Sequence, residues 1–399
     1  MTPFLFQTTP NLLFEAGSVR KLPDLVATLG AKRVLLVTDR GVRGAGLTRG
    51  AEAALGAAGL ACDVFEDVVA DPPSRVVEAA AALARARGAD LVLGIGGGSA
   101  LDTAKLVAYL ARTDARLDDL YGVGLADGAR LPLILVPTTA GTGSEVTPIA
   151  IVTTPSAEKR GVVAPVLLPD WAVLDPDLTL GLPAPVTAAT GIDAMVHAIE
   201  AYTSRLRKNP VSDGLARQAL GLLASYIRTA CADGADREAR AGMLLGAALA
   251  GMAFANAPVA AVHALAYPIG ALFHVPHGLS NALVLTGVLR FNLPAAEGLY
   301  AELAPILDPA ARDLPAGRAA ERFVAALEAI CRDCAVPASL TAVGIGVGDL
   351  GRLADDAMRQ TRLLVNNPRP LTREDARAIY AAALSGPPPA AGTEDNAPS

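Results

Sequence analysis

All four histidines of this 399-residue chain fall between Gly191 and Gly278. That confinement limits what the chain can be more than any other feature does. They are His197, His263, His274 and His277, and Asp193 stands four residues before the first. On a helix, residues i and i+4 share one face, so Asp193 and His197 project the same way. A carboxylate drawn together with imidazoles makes a donor set for a divalent metal of borderline hardness, such as Fe2+ or Zn2+. A single histidine more often caps a helix or satisfies a core carbonyl. Four in so short a span, beside a carboxylate in register, favour a metal site.

The same region lacks charge. No Asp, Glu, Lys or Arg occurs between Arg240 and Arg290. The run is broken by Asn256, Pro258, Pro268, Pro276 and three of the histidines. No clean apolar stretch of about 20 residues survives to span a bilayer, so helices buried around a metal site are expected instead. A net charge of −6 argues against a nucleic-acid surface. The N-terminus has no basic region before its apolar residues, so no signal peptide is read there. Four cysteines in so long a chain make no disulfide framework. Cys331 and Cys334 form a lone CxxC, read as two helix residues. The expected compartment is the cytoplasm.

Along the chain, Arg33–Asp39 (RVLLVTD) reads as a buried parallel strand. A helix is expected over 47–59, a strand over 62–65, and a helix from Ser74 to about Arg87 that stops at Gly88. Strands follow at 91–95 and 131–136, the first leading through Gly96-Gly97-Gly98-Ser99 into a helix. This alternation implies βαβ units and a parallel sheet open to ligands at its carboxyl edge. After about residue 181 the pattern becomes helical, with helices expected over 183–204, 211–231, 238–255, 258–272 and 317–334. The expected organisation is an α/β domain over 1–181, an all-α domain over 182–386, and a disordered tail over 387–399.

A strand, a GGGS turn and a helix bring backbone N–H groups and a helix dipole to a phosphate. Alone the match is weak, and Gly344-Ile345-Gly346 is a decoy outside any strand-to-helix context. It gains weight from a second loop after the 131–136 strand, in which Thr138, Thr139 and Thr142 supply hydroxyls. Two such loops suit a diphosphate with its sugars; otherwise both are simply tight turns. Asp39, ending the first strand, could accept from a ribose hydroxyl and would repel a 2′-phosphate. That favours NAD over NADP.

Taken together, GIGGGSALDTAK (94–105), PTTAGTGSEVT (137–147), LLPDWAVLDPDL (167–178), GIDAMVHAIEAYTS (191–204), HALAYPIGALFHVPHGLSNA (263–282) and RLLVNNPRPLT (362–372) resemble the iron-containing (group III) alcohol dehydrogenases. The resemblance implies a dehydroquinate synthase-like architecture: a dinucleotide-binding α/β domain, then an all-α metal-binding domain, with the active site between them. It implies Asp193, His197, His263 and His277 as metal ligands, with Fe2+ expected and Zn2+, Mn2+ or Ni2+ as alternatives. Gly96, Gly97, Gly98, Ser99 and Asp102 fall in its diphosphate motif, and Thr138, Thr139, Thr142 and Thr147 in its second cofactor loop. Asp39 matches the position tied to NAD preference. Lys159 or Arg160 matches a basic cofactor contact.

Tyr267 and His274 remain as candidates for a catalytic role beside the metal. His274 is expected near the pocket, not on the ion. Tyr267 stands where many members carry a proton-relaying histidine, and Asp71-Pro72 replaces a frequent Asn-Pro. The implied activity is hydride transfer between NAD and a small aliphatic alcohol or aldehyde, in a homodimer or higher homo-oligomer. Rival readings are a hydroxyacid-oxoacid transhydrogenase, a maleylacetate reductase-like or polyol/glycerol dehydrogenase, and a silent NAD-binding protein.

Overall fold

The computed structural model describes residues 3–156 and 158–385; the tail expected from residue 387 lies outside the described residues. The strands are β1 (Asn11–Phe14), β2 (Arg33–Asp39), β3 (Ala61–Val68), β4 (Leu91–Gly96), β5 (Gly122–Val123), β6 (Leu133–Pro137), β7 (Ile149–Thr153), β8 (Lys159–Val163) and β9 (Trp171–Leu174). Among the described residues, six form a parallel sheet ordered β1-β9-β6-β4-β2-β3, while β5, β8 and β7 form a small mixed sheet. Helices α1 (Leu22–Thr28), α2 (Arg40–Gly44), α3 (Arg49–Ala57), α4 (Ser74–Arg87) and α5 (Gly98–Leu110) accompany the sheet.

β2 shows why an apolar run makes a central parallel strand. Leu35 and Val37 enter the core shared with α4 and α5, whereas Val34 and Leu36 enter the one shared with α1 and α3. Successive side chains point to opposite faces, so both faces of such a strand must be apolar. The chain leaves β2 toward β3 on one side and returns through β4 on the other. The carboxyl ends of β2 and β4 therefore flank the point where strand order reverses, which is where open α/β sheets bind ligands.

No strand follows β9 among the described residues. The helices are α6 (Ala184–Thr203), α7 (Pro210–Ala232), α8 (Arg237–Asn256), α9 (Ala261–Phe273), α10 (His277–Leu307), α11 (Ala316–Asp333), α12 (Leu350–Met358), α13 (Thr361–Leu364) and α14 (Arg373–Ala383). The helix expected from residue 258 begins at Ala261. α10 has no counterpart among the expected helices, because Pro294 and Pro305 lie inside it and interrupt its pattern. Among the described residues, no single helix is long and apolar enough to cross a membrane; α8 and α9 qualify only as a pair, bent by 107°. Their buried residues join one core with α6, α7 and α10.

Two glycines allow the close approaches that set the site. A Cβ on Gly278 would lie 2.2 Å from the Ala189 carbonyl oxygen, so the first turn of α10 presses on α6. Gly143, at φ +60°, brings the loop after β6 against α8, where a Cβ would meet the Gly251 Cα at 2.6 Å. A side chain at either position would wedge the contact apart.

Candidate metal centre and cofactor cleft

Three helices converge on one point. α6 supplies Asp193 and His197, α9 supplies His263, and α10 opens with His277. Asp193 Oδ1 lies 3.9 Å from His197 Nε2, 3.8 Å from His263 Nε2 and 3.6 Å from His277 Nε2. The four donor atoms all fall within 4.8 Å of one another. A tetrahedral ion with bonds of about 2.1 Å separates its ligands by about 3.4 Å, so a small inward adjustment would let all four reach one cation. Asn281 Nδ2 donates to Asp193 Oδ1 at 2.6 Å and lies 3.3 Å from Nε2 of both His263 and His277. Acceptor atoms thus face one another with only an amide N–H among them, an arrangement a divalent cation would satisfy.

The protonation states suit that role. Burial pushes His197 down to about 3, and burial likewise lowers His277. Burial alone would raise the Asp193 carboxyl, but the surrounding imidazoles and the Asn281 amide outweigh it and hold the group below its usual range. An ionised carboxylate and neutral imidazoles are the forms a metal requires. Glu200 orients the third imidazole: its Oε2 lies 2.6 Å from His263 Nδ1, and its Oε1 accepts the Val262 N–H at 2.7 Å. A proton on Nδ1 leaves Nε2 free to face the cluster. The Phe254 ring stacks on His197 at 4.2 Å between centroids.

Most of the residues expected to bind a cofactor gather at the sheet edge. β2 and β4 run in register, with Val37 opposite Gly94, which sets Asp39 beside Gly96. Asp39 Oδ1 accepts the Val42 N–H at 2.9 Å, and the residue lines a cleft with Gly97, Gly98 and Ser99. Gly98 and Ser99 open α5 and also line a second cavity of about 460 Å³. Asp193, His197, His263 and His277 line that same cavity, as do Thr142, Thr147, Asp102, Lys159 and Tyr267.

Two family models divide the chain between them: Iron-containing alcohol dehydrogenase over residues 9–176, and Fe-containing alcohol dehydrogenase family, C-terminal over 187–384. The chain belongs to the iron-containing alcohol dehydrogenase family. It is 43% identical to long-chain-alcohol dehydrogenase 1 of Geobacillus thermodenitrificans, over 93% of this chain and 94% of that protein. The crystal structure of 1,3-propanediol oxidoreductase matches at a TM-score of 0.93 and 34% identity, covering 96% of this chain and all of that one. A sulfoacetaldehyde reductase from Bifidobacterium kashiwanohense in complex with NAD+ matches at a TM-score of 0.86 and 27% identity, over 96% of this chain and 100% of that one.

Within this family fold the expected residues separate by place. His274 is not brought to the pocket. It ends α9 at φ +56°, exposed, its N–H bonded to the Gly270 carbonyl. His274 lines neither of the two cavities, so the pocket role expected for it has no support in the geometry. Lys159 faces the cavity and pairs with Asp71 at 2.8 Å, whereas Arg160, next along β8, is exposed and pairs with Glu158. Strand alternation therefore selects Lys159 as the residue facing the cavity.

Thr138 is buried, its N–H donating to the Gly96 carbonyl at 3.0 Å, and it lines neither cavity. Thr139 and Thr142 lie against Gly97 and Gly98. Asp102 is largely occupied within the protein, accepting from Ser144 Oγ at 2.5 Å and from the Ile151 N–H at 2.9 Å. Thr147 Oγ1 takes a hydrogen bond from buried Lys105 at 3.2 Å. Glu200 and Asn281 were missed. Both were within reach of periodicity: Glu200 extends the 193, 197 stripe to i+7, and Asn281 lies four residues after His277.

If Asp39 faces the adenosine ribose, Asp39→Gly removes a like charge from a 2′-phosphate. The ratio of kcat/KM for NADPH to that for NADH should rise on the order of a hundredfold. Steady-state kinetics with both cofactors measure it, and an unchanged ratio places Asp39 away from the ribose.

Proposed function

We propose that this chain is a metal-dependent, NAD(H)-linked alcohol dehydrogenase that runs as an aldehyde reductase in reverse, with a small aliphatic alcohol as substrate. One observation carries the reading: the Asp193, His197, His263 and His277 cluster and the Gly98-Ser99 start of α5 line a single cavity. A cofactor anchored at one wall can thus present its nicotinamide to a substrate held at the other. The NAD+ complex of the sulfoacetaldehyde reductase relative supports the choice of cofactor.

A divalent ion, Fe2+ by family membership, would supply Lewis acidity to the substrate oxygen. The chain's own residues do the remaining work. Backbone N–H groups at Gly97, Gly98 and Ser99, with the α5 dipole, take the diphosphate. Asp39 accepts from the ribose hydroxyls. Thr142 and Lys159 line the path toward the cluster, and Phe254 keeps water off one face of the reacting carbon. Fixing both reactants turns a bimolecular encounter into an oriented transfer.

Tyr267 faces the cavity, its ring 5.8 Å from that of His277, and its hydroxyl has no hydrogen-bond partner among the described residues. Burial raises its phenol above the ordinary value. A phenol so disposed stays protonated at neutral pH. Its role is to shape the pocket and order a water, while the proton passes to solvent.

His277→Ala, assayed by elemental analysis, NADH titration and alcohol-dependent NADH formation, should lose metal and turnover together while NADH binding persists. Stoichiometric metal with full activity would remove His277 from the ligand set. His274→Ala should retain its metal. Tyr267→Phe should cost less than about tenfold in kcat, and a hundredfold loss with metal intact would make the phenol an obligatory proton carrier.

A further inference from the structure

We propose that the preferred substrate is an aliphatic alcohol, or the corresponding aldehyde, with an anionic group at its far end held by Arg207 and Arg362. This rests on the dehydrogenase reading. Both arginines line the cavity that contains the His/Asp cluster, and both are exposed at its rim. Neither has a carboxylate within 4.0 Å among the described residues. Their neighbours differ: Lys159 in the same cavity pairs with Asp71 at 2.8 Å, and Lys208, next to Arg207, pairs with Asp213 at 2.7 Å.

The two arginines sit on segments that the fold ties together. Arg207 belongs to the turn between α6 and α7, and Arg362 to α13. The Arg205 N–H donates to the Asn366 carbonyl at 2.8 Å, and the buried Asn366 side chain donates to the Val259 carbonyl at 3.0 Å. Ser204 Oγ donates to the Pro258 carbonyl at 2.7 Å. The α6–α7 turn, the α8–α9 break and the α13 turn therefore form one rim, with two unpaired guanidinium groups on it.

The wall below that rim is apolar, from Pro258 and Val259 to Phe254 stacked on His197. Arg362 is also close enough for its charge to oppose the burial shift of the Tyr267 phenol. An extended molecule with its hydroxyl at the cluster, a methylene chain along this wall and a carboxylate or sulfonate at the rim matches both ends. Guanidinium groups bind such anions through charge-assisted, often bidentate, hydrogen bonds. The chemistry is unchanged: the carbinol carbon gives hydride to NAD+, the hydroxyl proton goes to solvent, and the distal anion is a spectator.

The test compares straight-chain primary alcohols with ω-hydroxycarboxylates of matched length, using iron-loaded enzyme and NAD+. At low salt the best hydroxycarboxylate should exceed its neutral match in kcat/KM by about tenfold, mostly through KM, with the advantage shrinking as salt is added. Arg207→Ala and Arg362→Ala should each reduce that ratio several-fold, and Arg362→Glu should invert it. Arg205→Ala, on the same turn but outside the cavity lining, should leave it unchanged. Calorimetric titration of the NADH complex, which cannot oxidise the hydroxycarboxylate, should give the same order of variants without reliance on turnover.

Turnover of neutral alcohols with no preference for the anion, or a preference indifferent to both arginines, overturns this proposal alone. No turnover of either series overturns the dehydrogenase reading, and this one with it.

Discussion

A carboxylate buried at 2% exposure, with imidazoles and one amide as its polar neighbours, is the interaction on which this structure depends. A buried charge is costly unless it is paired. Here no lysine or arginine lies within 4.0 Å of Asp193 among the described residues. The His197 and His277 imidazoles are kept neutral by the same burial that isolates the carboxylate. A divalent ion would resolve that imbalance, and the stretch from Arg240 to Arg290 brings no further charge to the surroundings. In such a medium the field of a bound ion would act strongly on an oxygen entering the cavity.

The rest of the architecture keeps that point facing the cofactor edge. Gly278 lets α10 press His277 toward α6, and the Gly143–Gly251 contact presses the second loop of the sheet unit against α8. Asp102 joins α5 to the same loop and to β7 through Ser144 and the Ile151 N–H. Buried Lys105 ties Thr147 and the Ile149 carbonyl into the same knot. Asp102 and Thr147, expected to touch the cofactor, thus spend their polar atoms largely on holding the two loops together. Residue identity in a motif does not distinguish a contact from its support; hydrogen-bond geometry does.

Much of this was legible in the sequence for physical reasons. The parallel strands are buried on both faces, so RVLLVTD and LVLGIG stand out as unbroken apolar runs. Helices α6, α7, α8 and α11 carry long patterns, and Gly88 marks the end of α4 as an αL cap. The strands β5, β7 and β8 were hidden: β5 has only two residues, and β7 and β8 lack the fully buried apolar run that marks the equally short β6. α10 was hidden by its internal prolines. His274 lies outside the cavity lining, its backbone turning left-handed one residue after α9, which proximity in sequence cannot report. Glu200 was visible as an i+7 extension of the ligand stripe, yet its partner His263 is 63 residues away, a pairing only the fold supplies.

The most direct test of the central claim is X-ray absorption at the iron edge on protein loaded with Fe2+ without oxygen. One ion per chain is expected in a nitrogen and oxygen shell that shows scattering from the rings of His197, His263 and His277. Failure to load iron, or a shell without imidazole scattering, would contradict it.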